Sequence, residues 1–395
     1  MGPATGLGYR MGALEKPSGR CFDYPMAGGK QKSANLPHIC QATLAYESWL
    51  GRQLPLLPAD LKLKHTRMAE SPFAFLRATF YRWRQLWPQF CPELMESPEV
   101  LGVGELHVEN FGTWRDAEGR LVWGINDFDE AAMLPYSNDL VRLAASAQLA
   151  AKENHLAGEA KAICETLLAG YAEAMESGGR PFVLAERHHW LRELASSDLR
   201  DPIRFWEKLT QWPKAERAVP ASVRAALQRA MPEAGLAFRV VHRQAGLGSL
   251  GRRRFTALAE WCGGLVAREA KELASSAWNW EGNPHPTSRL FYLDAIQQAV
   301  RVADPFLRFQ KQWLLRRLAP DCSRIELASL PRTKDELKLL HAMGWEAANV
   351  HLGRRKARPA IRQHLRKLSA RWLQDASAAM VKATLSDWED WRAKG

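Results

Sequence analysis

The sequence predicts an α+β protein of two lobes, the larger one helical, on three observations. Two stretches carry strand-like apolar runs around turn formers: Phe111 to Ile125, and Gly235 to Glu272. Longer segments beginning near Gln41, and spanning Pro72 to Trp87, Asp139 to Glu176 and residues 365–395, place apolar residues at helical spacing. With 395 residues, 46% of them hydrophobic, the chain can bury a large core and is long enough for two lobes.

In chain order, residues 1–40 are rich in Gly, Pro, Lys and Ser without periodicity, and are expected to form a mobile arm. Residues 41–180 open with the helical ATLAYESWLGRQL. An amphipathic segment follows, with Phe73, Leu76, Phe80 and Trp83 on one face; Arg77 within it is expected in a structural salt bridge. Residues 181–234 are polar, helical and punctuated by Pro, as a linker or insertion would be, with His188 and His189 at the surface. Residues 235–330 read as strand, glycine loop, strand, Gly-Gly turn, strand; then come a helix over Arg289 to Ala303 and a strand over Trp313 to Pro320 followed by SRIEL. Residues 331–395 carry a helix containing HAMGWEAANVHLG and a closing helix with Trp372, Leu373, Met380 and Trp388 on its apolar face.

The chemistry concentrates between Val103 and Ser146. There the chain reads GELHVENFG, a hairpin, INDFDEA and NDLVRLAAS. A turn-rich loop holds Glu105 and Asn110, two apolar runs joined by Arg115-Asp116-Ala117-Glu118-Gly119-Arg120 form the hairpin, and Asp127 and Asp129 follow it. In kinase-like enzymes a carboxylate orients the hydroxyl proton, an amide oxygen shortly after it binds Mg2+, and an aspartate further on bridges the metals. Glu105, Asn110 and Asp127 would hold these roles, with Asp129 as a further metal ligand. The bland reading is a turn between strands, with Asp127 and Asp129 capping the next helix. Asp139 is expected to cap its own helix and brace the loop, and His107 to brace it from within.

A second block supports the first. Gly246, Gly248 and Gly251 fit GxGxxG, which dinucleotide folds and kinase phosphate loops share, and Ser249 lies among them. A dinucleotide site needs a helix to begin there, whereas Arg252 to Trp261 reads as a strand. The third strand would then carry a cation for the nucleotide phosphates, either Lys271 or Arg268. Asp294, on the helix after it, is the candidate acid to pair with the lysine. A Gly-rich hairpin with a solvated lysine is the bland alternative.

The first block resembles the HGDxHxxN and IDxE signatures of aminoglycoside and choline kinase-like phosphotransferases, with Glu105 where that family has Asp. The added methylene moves the carboxylate by about a bond length, and a misplacement of ~1 Å can cost ~10²-fold in rate. The blocks occur in reverse of the kinase order, so the resemblance implies a circularly permuted protein kinase-like fold, tolerated where termini lie close together. Over residues 60–360 the chain also resembles the bacterial family called domain of unknown function 2252. The shared phrases are SPFAFLR, GxxHxxNFG, NDFDE, DLVRLAAS, GxGSxG, KE followed by Ser276, and DPFL. The family's KEA stands here as Lys271-Glu272-Leu273, or as Arg268-Glu269-Ala270.

Composition narrows the partners. The net charge is +12, from 55 basic and 43 acidic residues, and such an excess attracts anions through long-range fields. The basic residues gather in Gly353 to Lys367 and at Arg252-Arg253-Arg254. A solvated helix face explains such runs without a nucleic-acid partner, and no nucleic-acid module is present. The 16 tryptophans are scattered as core packing requires, and the six cysteines lack metal-ligand spacing, so they read as reduced thiols. No apolar run approaches the ~20 residues that span a bilayer, and the first residues lack an apolar signal core, which points to the cytoplasm. The expected activity is therefore transfer of a phosphate from ATP, with Mg2+, to a small-molecule or protein hydroxyl. Two alternatives stand beside it: nucleotide binding with AMP transfer or without catalysis, and a basic helical binding protein.

Overall fold

A computed structural model describes residues 36–395, apart from 154, 157, 196–200, 214–218, 281–288, 323–335 and 395. The expected arm, SRIEL and the start of the C-terminal segment fall partly or wholly outside the described residues. Four helices open the described chain: α1 (Ile39–Gly51), α2 (Pro58–Glu70), α3 (Pro72–Ala78) and α4 (Phe80–Phe90). The amphipathic segment from Pro72 is thus two helices, since Thr79 leaves helical geometry at φ −124° and ψ 45° and its hydroxyl bonds back to Phe75 O at 2.7 Å. Next come β1 (Glu99–Gly102), β2 (Phe111–Arg115), β3 (Leu121–Ile125) and β4 (Ala132–Pro135), then α5 (Tyr136–Lys152), α6 (Ala160–Ser177) and β5 (Phe182–Val183).

Further on are α7 (His189–Ala195), α8 (Pro202–Thr210), α9 (Ala221–Ala230), β6 (Arg239–His242), β7 (Arg254–Trp261), β8 (Gly264–Glu272), α10 (Tyr292–Gln298), β9 (Arg308–Gln310) and β10 (Trp313–Leu318). The chain closes with α11 (Glu336–His351), α12 (Arg358–Lys367) and α13 (Trp372–Lys394). The architecture is mixed α+β with small antiparallel sheets: β1-β4, β2-β3-β5, and the five-stranded β6-β7-β8-β10-β9.

Period-2 alternation gives the large sheet two different faces. Val240, Phe255, Ala257, Ala270, Trp313 and Leu315 pack on Val223, Ala226 and Leu227 of α9. On the opposite face Leu258, Ala267 and Leu318 pack on Leu209 of α8. The segment 181–234, expected as a linker or insertion, therefore supplies covers for both sides of the sheet. Lys271, Glu269, Arg254 and Arg316 share the α8 side, but further along it, where Asp127 and Asp129 approach Lys271.

The main core joins α4, α5, α6, α11 and α13 around residues such as Trp87, Leu140, Tyr171 and Met380. The α6–α11 crossing is tight enough that a Cβ on Gly344 would overlap the Leu167 carbonyl of the facing helix. Trp87 and Trp123 are fully buried in the core, whereas Trp261 is exposed. Cys40, Cys91, Cys164, Cys262 and Cys322 are free thiols. Among the described residues no helix is long and apolar enough to cross a membrane.

In the C-terminal basic run Arg355, Lys356, Arg366 and Lys367 are exposed, as a solvated helix face requires, while two arginines are held by contacts. Arg358 donates to the Met175 and Glu176 carbonyls at 2.7 Å each, and Arg362 pairs with Glu176. These cations satisfy the C-terminal end of α6, where free carbonyls concentrate negative charge. Arg252, Arg253 and Arg254 form no surface patch, because each pairs with an acid: Glu130, Glu272 and Glu269 respectively.

Candidate functional site

The hairpin β2–β3 explains why the acids and the amide of the first block meet. Its register pairs Phe111 with Ile125, so the residues just beyond its open end, Asn110 and Asn126, face one another. At the far end the Asp116 carboxylate accepts from the Glu118 and Arg120 amides at 3.0 and 2.8 Å, which fixes the turn. At the open end the Asn126 amide donates to Asn110 O at 2.9 Å. The Asn110 side-chain nitrogen donates to the Asp127 carbonyl at 3.0 Å and the Glu105 carbonyl at 3.3 Å. Both Nδ2 hydrogens are thereby used, leaving Oδ1 as the acceptor of that amide.

Asp139 holds the start of the loop. Its carboxylate accepts from the Val103 and Gly104 amides at 2.7 and 2.9 Å and meets His351 Nε2 at 3.0 Å, while His351 Nδ1 lies 2.9 Å from the Tyr171 hydroxyl. The bracing role stands, but Asp139 does not cap its helix: it sits in the first turn of α5, whose N-cap is Pro135. No helix follows Asp127 and Asp129 either; β4 does. His107 accepts the Glu109 amide at 3.2 Å through Nδ1, and Arg77 pairs with Glu109 at 2.6 Å, the expected structural salt bridge. His188 packs against the Phe182 ring.

The second block meets the first. Lys271, 1% exposed, donates from Nζ to Asp127 Oδ2 at 2.8 Å and contacts Asp129 Oδ2 more closely still. Gly248 packs on Glu105 so closely that a Cβ there would overlap the Glu105 carboxyl. The turn over Leu247–Ser249 is followed by strand β7, not by a helix at Gly251, so the helix N-terminus that a dinucleotide site requires is missing. Ser249 Oγ bonds to Gly246 O and receives Arg254 Nη2 at 3.0 Å, so Ser249 braces the loop from within.

Two expected residues do not join the site. Asp294 is not the partner of Lys271: it faces Arg289 at 3.3 Å, and Lys271 pairs with the two aspartates of the first block. Arg268 lies an odd number of residues from Lys271 on β8 and so points to the opposite face, where its Nε donates to Ala230 O at 2.7 Å over the Phe306 ring. Of the two candidates, Lys271 faces the loops.

Several residues at the site were not singled out by sequence. Arg252 joins Glu130 at 2.8 Å and lies 3.6 Å from Asp129, while Glu130 also accepts the Ala277 amide. Glu269 is enclosed by Arg243, Arg254 and Arg316, at 2.9, 2.9 and 2.8 Å. Arg142 is held between the Phe80 and Trp83 rings. The arginine run and the GEL and NDFDE acids were visible as composition. Only the fold pairs them.

Electrostatics separate the acids. Burial raises every carboxyl here, but around Glu269 the three guanidiniums outweigh it and hold the carboxyl well below the usual range. For Asp127 burial is likewise outweighed, first by the Lys271 charge and then by hydrogen bonds with Asp129 and Lys271, and its carboxyl is lowered. Asp129 goes the other way, raised by burial and then by the neighbouring Asp127 charge. Glu105 is raised to about 8, by burial above all and then by Glu130, Asp127 and Asp129, against the Arg142 charge.

That shift has a stability consequence. A carboxyl raised from 4.5 to about 8 contributes stability below pH 4.5, and that contribution is lost as pH rises to about 8. Glu105→Gln, which cannot ionise, should therefore match the wild type in acid and exceed it in alkali. Glu105 keeps part of its surface open, so solvent screening reduces the gain to on the order of 1–2 kcal/mol at pH 9. Melting curves of both proteins from pH 5 to 9 check this; parallel profiles would remove the shift.

Hard-oxygen donors suited to Mg2+ are present. Among the described residues no group of three or more His, Cys, Asp or Glu could hold a metal ion. Mg2+, however, is commonly held by one or two carboxylates, with phosphates and water completing the shell. Asp127, Asp129 and Asn110 Oδ1 offer such a set, and Asp129 Oδ1 is buried without a hydrogen bond while Oδ2 faces Lys271 and Arg252. Asp127 has a side chain 39% exposed, against 6% for Asp129, so Asp127 is the acid open to an incoming ligand.

No curated protein and no solved structure matches the chain. Residues 56–224, which contain Glu105, Asn110, Asp127 and Asp129 but end before the glycine loop, match the model of a family described as an uncharacterized protein conserved in bacteria (DUF2252).

Proposed function

We propose that the protein is an ATP- and Mg2+-dependent phosphotransferase of permuted kinase-like fold, acting on a hydroxyl acceptor. One observation carries the reading: Lys271, from the glycine block, bonds to Asp127 and Asp129, from the acidic block 144 residues earlier. Two motif blocks remote in sequence and reversed in order converge on a few ångströms. Independent accidents would not require this. The lysine lies on the third strand of the sheet whose first two strands flank the glycine loop, as the phosphate lysine of protein kinases does.

In this reading Asp127, Asp129 and Asn110 would hold Mg2+, which when bound neutralises charge developing on the transferred phosphoryl group. Lys271 exchanges its aspartate contacts for nucleotide phosphate, and the surplus of arginine over acid around Glu269 supplies a positive field from the sheet. Glu105 orients the acceptor hydroxyl and takes its proton. A carboxyl raised to about 8 is matched to that task near neutral pH, because proton transfer is most efficient when the base titrates near the working pH.

A second reading rests on Gly248. Its contact with Glu105 occupies space that an acceptor hydroxyl would need, which favours nucleotide binding without transfer, or transfer of AMP. A thermal-shift titration with ATP tests the common part: stabilisation of about 2.7 kcal/mol is expected at a hundredfold excess over Kd, and only with Mg2+. No stabilisation at millimolar nucleotide would sink both readings. Product analysis with labelled ATP then separates phosphate transfer, AMP transfer and binding alone.

A further inference from the structure

Helix α2 belongs to neither motif block, yet it runs along the glycine loop. Leu57, at its start, donates its amide to Gly251 O at 2.8 Å; Asp60 accepts from Gln244 at 2.8 Å and meets His242 Nε2 at 3.1 Å; Lys64 reaches Gly248 O at 3.5 Å. The loop's own Leu247 and Leu250 are buried beside Met68 of α2 and Phe75 of α3. The helix therefore fixes Lys64 at the point where Gly248 touches Glu105.

Lys64 is poorly satisfied there. It is 3% exposed, and among the described residues its one hydrogen bond is the long contact to Gly248 O, with the Tyr81 ring 5.7 Å away. An ammonium has three donors, and burying one with so little hydrogen bonding is costly unless an anion completes it. Burial pushes its amine downward, against Glu47, Glu105 and Glu130, whose charges favour the protonated form. Lysines held only for structure normally extend their ammonium to water.

We propose that Lys64 is a second phosphate-binding lysine, contacting the β or γ phosphate of a nucleotide held under the glycine loop, at the Gly248 end of that loop. Lys271 serves the Asp127 end. The inference deepens the nucleotide reading and rests on it, so the test must separate the two.

Calorimetric titration of the full chain with Mg2+ and either ATP or AMP does so. AMP lacks the phosphates assigned to Lys64. Lys64→Met, which keeps the length of the chain and removes a buried charge, should weaken ATP binding about tenfold, as loss of one charge-assisted contact does, and leave AMP binding unchanged. Lys64→Arg should retain most of the ATP affinity. Unchanged ATP affinity in the Met variant overturns the role of Lys64 alone; absence of ATP binding by the wild type overturns the nucleotide reading with it. Should the Met variant not fold, acetylation of the wild type, read by peptide mass spectrometry, replaces it. ATP should then slow labelling of Lys64 severalfold relative to AMP, and equal rates would overturn the assignment.

Discussion

Asp127→Ala will remove the Mg2+-dependent part of nucleotide binding and leave the fold intact. Asp127 is the acid most open to solvent at the site, while Lys271 keeps Asp129 as a partner when Asp127 is lost. Deletion therefore strips the proposed metal ligand without leaving a buried ammonium unpaired, a situation that is strongly destabilising. If Mg2+·ATP affinity falls on the order of 10²-fold, stabilisation at a hundredfold excess of ATP drops from about 2.7 to about 0.4 kcal/mol. Melting curves with and without Mg2+ would register that loss. Equal nucleotide stabilisation of variant and wild type, with magnesium present, would exclude Asp127 from the site.

The part of this site legible in the sequence is the part set by short-range rules. The hairpin could be placed because alternation and turn chemistry fix β2 and β3, and their register then brings Asn110 beside Asp127 without further information. Strands β7 and β8 were legible for the same reason, with Gly263 and Gly264 marking their turn. Asp294 faces Arg289 and not Lys271 because helix α10 is short and its orientation depends on what it packs against, not on its own periodicity. Lys64 and Arg252 were invisible as site residues because their partners lie 184 and 122 residues away. No local pattern encodes such a contact. Arg252, expected in a solvated basic run, is 4% exposed, since a run of three arginines gives no sign that three acids await it.

Asp139→Ala should show the opposite behaviour to Asp127→Ala: a large loss of stability, with loss of ligand binding only as its consequence. The Asp139 side chain is fully buried, and it joins three elements, accepting from the Val103 and Gly104 amides before the Glu105–Asn110 loop and meeting His351 on α11. Truncation would orphan two buried amides and one ring nitrogen, a cost of about 3–5 kcal/mol where charge-assisted bonds are broken in the interior. Asp139→Asn, which preserves shape and one accepting oxygen, should cost less. Urea unfolding of both variants measures this as a shift in midpoint at unchanged slope. A loss below about 1 kcal/mol for the Ala variant would mean that the loop is held by other contacts. A double-mutant cycle with His351→Ala then isolates the pair, because residues in direct contact couple by roughly 0.5–3 kcal/mol. The comparison between the two aspartates is the sharper result: a site built on a rigid brace should lose function at Asp127 without losing stability, and should lose stability at Asp139 before anything else.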